Sequence, residues 1–423
     1  MLLNRVRANL VMDQYGLDGL VAAFNENIYY LSDYWGPMLL MSRNYSMYAV
    51  LPRDESMPAA LIMPAAGAYH LEHLPTWMPN VVTFNQRMNP LRMPARDFDT
   101  NREEVEKGPV PLEHDPSRRR MRENDLRDRD HQLLARRNRH ANDHHLTALD
   151  ALTHALEMSG LDKARLGFDD PRVLGWLKEY TLPSISGIDA LNVFKRIRMV
   201  KSETEIDLIK IAGRSTETAV NAVIDAMEVG MQLSEVQSIH RKSMADQGGQ
   251  SIFIIANVRG LATGVFEANE VVKIDAVGSY REYRGDVGRS VYFGTPPEEM
   301  LLRNRAVMHG LDFAYRNIRP GRTASEICRE TMAAVHAAGF PGFTVAGPHS
   351  VGLEHTDHPT SVGGELPGDH GDLVFEENMV FTLDMPYHEF GWGSMHVEDM
   401  VIVRKDGCEP ITSLDTSLRV KPI

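Results

Sequence analysis

Residues 271–294 read VVKIDAVGSYREYRGDVGRSVYFG. Apolar and polar residues alternate on either side of Gly278 and Ser279, the pattern of a β-hairpin turning at that pair. Such a hairpin carries Asp275 on its first strand and Asp286 on its second, both among apolar neighbours. A carboxylate removed from water without a partner is costly, so two facing ones call for a cation, a shared proton or strong hydrogen-bond donors. The competing reading is local: either aspartate caps a turn or pairs with Arg289.

Farther along, GPHSVGLEHTDHP places His349, His355 and His358 beside Glu354 and Asp357 in a Gly- and Pro-rich segment. That density of imidazole and carboxylate exceeds what core packing requires. MVFTLDMPY then sets Asp384 at the end of an apolar strand, and MHVEDMVIV sets Glu398 inside another. By the strand period of two, His396, Glu398 and Met400 share one face, and Val397, Asp399 and Val401 the other. Four acids and one histidine on separate strands form an oxygen-rich donor set. It suits Mn²⁺, Fe²⁺, Co²⁺ or Zn²⁺, and two such ions together can activate a water.

Upstream, Ser202 and Glu205 form a capping box that starts a helix running towards Gly230, its apolar face carrying Ile206, Ile209, Val220, Val223, Ile224 and Met227. Ser234 and Gln237 read as a second box. Gly248, Gly249 and the run 252–255 then switch to extended chain, and strands dominate the remainder apart from a helix near 324–338. The domain beginning at 194 is therefore α+β. Residues 1–193 read as a smaller α/β domain, with strands at 19–23, 48–51, 60–63 and 166–169 and helices at 146–158 and 173–180. Within it, 85–142 lose apolar residues and gain charges of both signs, as a polar insertion or solvated arm does.

Composition narrows the function. The chain has 423 residues, 43% hydrophobic and 24% charged, which excludes disorder and collagen. Its net charge of -13 argues against a nucleic-acid partner, since phosphate binding needs a positive surface. The two cysteines, Cys328 and Cys408, make no disulfide framework and no CxxC pair, as expected of a cytoplasmic protein. The start of the chain lacks the apolar core of a signal peptide, and the uncharged stretch 57–69 is too short and too Pro-rich to span a membrane.

The ordered set Asp275, Asp286 in GDVGRS, His349 in HSVGL, Asp384 in ENMVFTLDMP and Glu398 in HVED resembles the ligand pattern of the pita-bread (M24) metallopeptidase superfamily, in its prolidase, aminopeptidase P and creatinase branch. The segments FKRIRMVKSETEIDLIKIA and NENIYYLSDYWG resemble that branch's entry to the catalytic domain and its N-terminal domain. The resemblance implies a pita-bread catalytic domain at 194–423 behind a creatinase-type domain at 1–193. It also implies a homodimer, and two divalent ions per subunit, Mn²⁺ foremost, held by Asp275, Asp286, His349, Asp384 and Glu398. The implied reaction is hydrolysis of a C–N bond by a metal-bridged hydroxide, most like an Xaa-Pro dipeptidase or aminopeptidase, with Glu398 as the proton shuttle; His355 and Asp357 are local candidates for the same role.

Four departures stand out. Asp384 replaces the family's Glu; no histidine occurs in 251–275; Thr356 takes a place the family gives to histidine, flanked by His355, Asp357 and His358; and His396 stands where Arg is common. His396 reads as an extra ligand, a general acid or a hydrogen-bonding support. The alternatives within the fold are hydrolysis or lysis of a small non-peptide substrate, as in creatinase, ectoine hydrolase or dimethylsulfoniopropionate lyase, and an inactive module that binds peptides or proteins.

Overall fold

A computed structural model describes residues 1–41, 47–84, 144–258, 264–358, 372–389, 392–413 and 415–423. The insertion expected at 85–142 lies outside them. The chain forms two compact units, Met1–Ile197 and Arg198–Ile423. The boundary expected at 193/194 falls inside a helix, Leu191–Arg198.

Short apolar runs build the first unit. Strands β1 (Gly19–Ala22), β2 (Tyr48–Pro52), β3 (Ala60–Pro64), β4 (Asn80–Phe84), β5 (His144–His145), β6 (Arg165–Phe168) and β7 (Ser186–Asp189) form one sheet in the order β5-β4-β3-β2-β1-β6-β7. Helices α1 (Arg5–Tyr15), α2 (Asn25–Ser32), α3 (Pro37–Leu40), α4 (Ala148–Met158), α5 (Pro171–Tyr180) and α6 (Leu191–Arg198) accompany it. Ala151, Leu152, Ala155 and Leu156 of α4 recur at helical spacing and are buried with Val21, Val50, Ile62 and Val82 of the sheet. The α/β expectation for this unit therefore holds in class, and the sheet adds β4, β5 and β7 to the four strands read from the sequence.

The second unit is an eight-stranded sheet covered on one face by helices. Its strands are β8 (Gln250–Val258), β9 (Val271–Tyr280), β10 (Tyr283–Phe293), β11 (Gly347–Ser350), β12 (Val380–Glu389), β13 (Gly393–Arg404), β14 (Gly407–Pro410) and β15 (Arg419–Lys421). The main order is β11-β12-β13-β10-β9-β8, with β14 on β13 and β15 on β10. Helix α7 (Glu203–Ala226) buries Val220, Val223 and Ile224 against Ile254, Ile274, Ala276 and Val287, with α8 (Leu233–Asp246) beside it. Helices α9 (Glu298–Asn317) and α10 (Ala324–Ala337) cover Leu383, Met385, Met395 and Val397 in the same way. Among the described residues no helix is long and apolar enough to cross a membrane.

Four expectations change. The hairpin turns at Arg281 and Glu282, both with positive φ, and not at Gly278 and Ser279, which lie inside β9. Gly278 has a packing role instead: a Cβ there would come within 2.5 Å of Thr216 Oγ1 on α7. Gly285 of β10 makes the same allowance, since its Cβ would stand 2.4 Å from the Ala212 carbonyl oxygen. Helix α7 has the Ser202–Glu205 box but stops at Ala226, and α8 is boxed by Gln232 and Glu235 instead of Ser234 and Gln237. Helix α9 was not expected at all. Gly310 weakens its pattern, yet that glycine admits Val335 and Met385, each within 2.7 Å of a would-be Cβ. Met400 keeps the register two residues beyond Glu398, paired with Thr382, and its sulfur accepts a bond from Asp286 N at 3.2 Å and packs at Gly213 of α7.

Asp357, a candidate proton shuttle by sequence, is put to structural use. It is fully buried, with Oδ1 accepting from Arg198 Nε at 2.9 Å and Nη2 at 2.6 Å, and Oδ2 accepting from Lys201 Nζ at 2.6 Å. These cations hold its carboxyl below the usual range against the opposing effect of burial. The clamp fixes the loop after β11, and with it His355. A second buried pair, His240 Nδ1 and Ser251 Oγ at 2.7 Å, joins α8 to β8; burial lowers the His240 pKa to about 4.

Asp357→Asn should lower the unfolding free energy by about 3 kcal/mol, because two cations lose their buried anion; a urea midpoint that stays put while turnover vanishes would return Asp357 to the chemistry. His240 stays neutral in the fold while an unfolded His binds a proton below pH 6.5. Stability should therefore fall as pH drops from 6.5 towards 4, by up to about 3 kcal/mol. Urea unfolding of wild type and His240→Gln at pH 7 and 4.5 measures this, and an equal acid loss in both would refute it.

Candidate metal centre

The strand register assembles the site. One cross-strand row runs Asp275, Gly288, Glu398, Asp384 and Gly347 across β9, β10, β13, β12 and β11. Two residues to one side lie Lys273 paired with Ser290, and His396 paired with Pro386. To the other side lie Asp286 paired with Val277, and His349 paired with Thr382. Because strand side chains alternate, steps of two keep these residues on the face opposite the helices. Residues more than a hundred positions apart in sequence thus become neighbours.

Glu398 sits at the centre, 2% exposed. Thr382 Oγ1 donates to its Oε1 at 2.6 Å, His349 Nε2 is 3.7 Å from Oε1, and His396 Nε2 is 3.4 Å from Oε2. Burial, then the charges of Asp286, Asp384 and Asp275, push its carboxyl well above the ordinary range. Asp384 Oδ1 is 2.6 Å from His396 Nε2; that bond and the neighbouring cationic groups outweigh burial and hold Asp384 low. Asp275 Oδ2 accepts from Lys273 Nζ at 3.1 Å. Asp286 is 1% exposed, and neither of its oxygens has a well-formed hydrogen-bond partner among the described residues. His355 Nε2 and His349 Nε2 stand 3.2 and 3.9 Å from its Oδ2. Burial lowers the His349 pKa, whereas the contact with Asp286 raises that of His355. The His355 side chain is 45% exposed, and its ring lies 4.9 Å from that of His349 and 6.0 Å from Phe253.

Three overlapping groups have donor atoms within 4.8 Å of one another: Asp286, His349 and His355; Asp275, His396 and Glu398; and His349, Asp384 and Glu398. Every residue read from the sequence as a ligand is therefore brought together, with His355 and His396, while Asp357 is not. His358 is also elsewhere, receiving the Ser350 N–H at 3.4 Å. The donor chemistry fits divalent cations. Four carboxylates share one face, two of them, Asp286 and Glu398, buried, and the orphaned oxygens of Asp286 would be costly there without a positive partner. Sequence reasoning passed over Lys273 and Thr382. Each lies two residues before an acid of the site, so the strand period carried the signal.

The chain is similar to known proteins in sequence and in fold. The model for Metallopeptidase family M24 matches residues 207–405. A probable dipeptidase PepE from Mycobacterium tuberculosis is 26% identical over 246 residues, 55% of this chain and 64% of the relative's length. An Xaa-Pro dipeptidase from Lactobacillus helveticus is 25% identical over 250 residues, 56% of this chain and 66% of the relative. The matches thus span slightly less than two thirds of the length of these relatives. In fold, the prolidase from Pyrococcus horikoshii OT3 superposes with a TM-score of 0.64 at 19% identity, covering 99% of both chains. The chain has the pita-bread fold, and its residues 207–405 are similar to metallopeptidase family M24.

Proposed function

We propose that this protein is a metal-dependent hydrolase that cleaves a C–N bond of a short peptide, as an Xaa-Pro dipeptidase or aminopeptidase does. The observation that carries this reading is Asp286, a buried carboxylate without a well-formed hydrogen-bond partner, ringed by three further acids and by imidazoles. Asp275, Asp286, His349, Asp384 and Glu398 would hold two divalent ions, with Mn²⁺ the first to try and Fe²⁺, Co²⁺ and Zn²⁺ after it. Such ions, when bound, supply Lewis acidity and make water a nucleophile near neutral pH.

The chain's own residues do the rest. Glu398, fixed by Thr382 at one oxygen, can keep a proton at the other and deliver it to the leaving nitrogen. His355, exposed on the rim beside Phe253, is placed to orient the substrate carbonyl. Lys273 balances part of the negative charge at Asp275. We further propose that residues 1–193 act as the prolidase-type N-terminal domain of a cytoplasmic homodimer; the two thiols, neither disulfide-bonded, are in keeping with a reducing compartment. One feature favours a second reading, a small non-peptide C–N substrate: residues 251–275 contain no histidine to meet a peptide.

Elemental mass spectrometry of the protein after gel filtration in metal-free buffer, before and after incubation with Mn²⁺, should give about two ions per chain. Asp286→Ala and His349→Ala should lose them, and with them at least about a thousandfold in kcat/KM on an Xaa-Pro dipeptide panel, the several kcal/mol a Lewis-acid ion contributes. No retained ion in either sample would sink the metal mechanism. Two ions without Xaa-Pro turnover would move the search to non-peptide amides.

A further inference from the structure

We propose that His396 is a nitrogen ligand of the metal position bounded by Asp275 and Glu398, in space that Gly288 leaves open for its ring. This rests on the metal-hydrolase reading above and specifies one side of its site. The ring is 1% exposed and wedged between strands. Its Nδ1 lies 3.2 Å from the Ile274 carbonyl oxygen. A carbonyl only accepts, so Nδ1, which also lies 3.9 Å from Asp275 Oδ2, carries the hydrogen, and Nε2 is the atom turned to Asp384 and Glu398. A backbone carbonyl that fixes the far nitrogen is the usual support of a metal-binding imidazole.

On the other side, Nε2 is 2.6 Å from Asp384 Oδ1 and 3.4 Å from Glu398 Oε2. A lone pair and a carboxylate oxygen that close need a positive charge between or beside them. A proton supplies one charge to a face holding Asp275, Asp286, Asp384 and Glu398, of which Lys273 contacts only Asp275. A divalent ion supplies two and engages several of these groups at once. The position of the ring is no accident of an exposed rotamer. Ser290 Oγ donates to the His396 carbonyl at 3.0 Å and accepts its N–H at 2.8 Å, fixing the backbone on both sides.

Gly288 completes the arrangement. A Cβ at that position would meet His396 Nδ1 at 2.5 Å and Cε1 at 2.6 Å, so any other residue would displace the imidazole. Asp384 is the matching change on the opposite strand: its arm is one methylene shorter than that of Glu, and Nε2 stands at its tip. Gly288, Asp384 and His396 thus form one coupled unit. Its chemical consequence is a more nitrogen-rich donor set, which shifts preference from Mn²⁺ towards Co²⁺, Fe²⁺ or Zn²⁺.

The test uses the full chain loaded with cobalt(II) chloride. Proton NMR should show strongly shifted, solvent-exchangeable imidazole N–H signals from the histidines bound to Co²⁺. His396→Ala should lose one of them, with a matching drop in imidazole scattering by X-ray absorption and more than tenfold weaker binding of one ion. Gly288→Ala, which keeps the histidine but crowds its ring, should lose the same signal. Circular dichroism identifies any variant that fails to fold, and the wild-type signals, assigned by selective ¹⁵N-histidine labelling, then decide alone. Cobalt uptake with every shifted signal retained in folded His396→Ala, or none assigned to His396 in wild type, overturns this inference alone. A wild-type chain that takes up no cobalt overturns it together with the metal-hydrolase reading.

Discussion

The junction between β10 and β13 is the constraint on which the second unit depends. The two halves of its sheet meet there, at the register pair Gly288 and Glu398. Side chains reinforce the junction from both faces. Ser290 bonds both backbone groups of His396 on the acidic face, and on the helical face Arg289 donates to the Glu398 carbonyl at 2.8 Å and to Asp399 Oδ1 at 2.9 Å. Arg289 and Asp399 are both buried, so removing either would strand a charge in the interior. A slip of one residue at this junction would turn Glu398 into the helix layer and Asp399 onto the acidic face.

From that register follows an unequal division of labour between the two faces. Towards the helices, β9 and β13 present Val272, Ile274, Ala276, Val397 and Val401 to apolar cores. The opposite face gathers carboxylates whose mutual repulsion opposes folding unless something positive is present. Among the described residues Lys273, His349, His355, His388 and His396 bring cationic or imidazole groups to it. The interior is thus polarised across a single sheet thickness, with apolar burial on one side and a gathered set of carboxylates and imidazoles on the other.

Much of this was legible in the sequence, because metal-binding chemistry needs particular side chains and strands place them with a fixed period. Asp275, Asp286, His349, Asp384 and Glu398 could be read as one set before any coordinates. The relations between them could not. That Gly288 stands between Asp275 and Glu398 depends on the register of three strands, which no local pattern encodes. Asp357 misled for the same reason: its neighbours in sequence are histidines, but its neighbours in space are Arg198 and Lys201. The turn at Arg281 and Glu282 was hidden because Gly278 is a stronger local turn signal, though it serves packing. Helix α9 was hidden because its interior glycine answers to Val335 and Met385 rather than to helix propensity.

The glycines at 278 and 285 let α7 approach the sheet so closely that backbone meets backbone at Ala212. At Gly285 the approach leaves no room for a side chain between helix and sheet, whereas at Gly278 the Met244 and Thr216 side chains fill the space. The acidic face therefore rests on a closely packed layer, and its donor atoms gather within 4.8 Å of one another in each of three overlapping groups. Adaptation to a new substrate then falls to the rim. His355, half exposed on its clamped loop, can be exchanged at little cost to the fold, whereas each residue of the row beneath is tied to its neighbours on both sides.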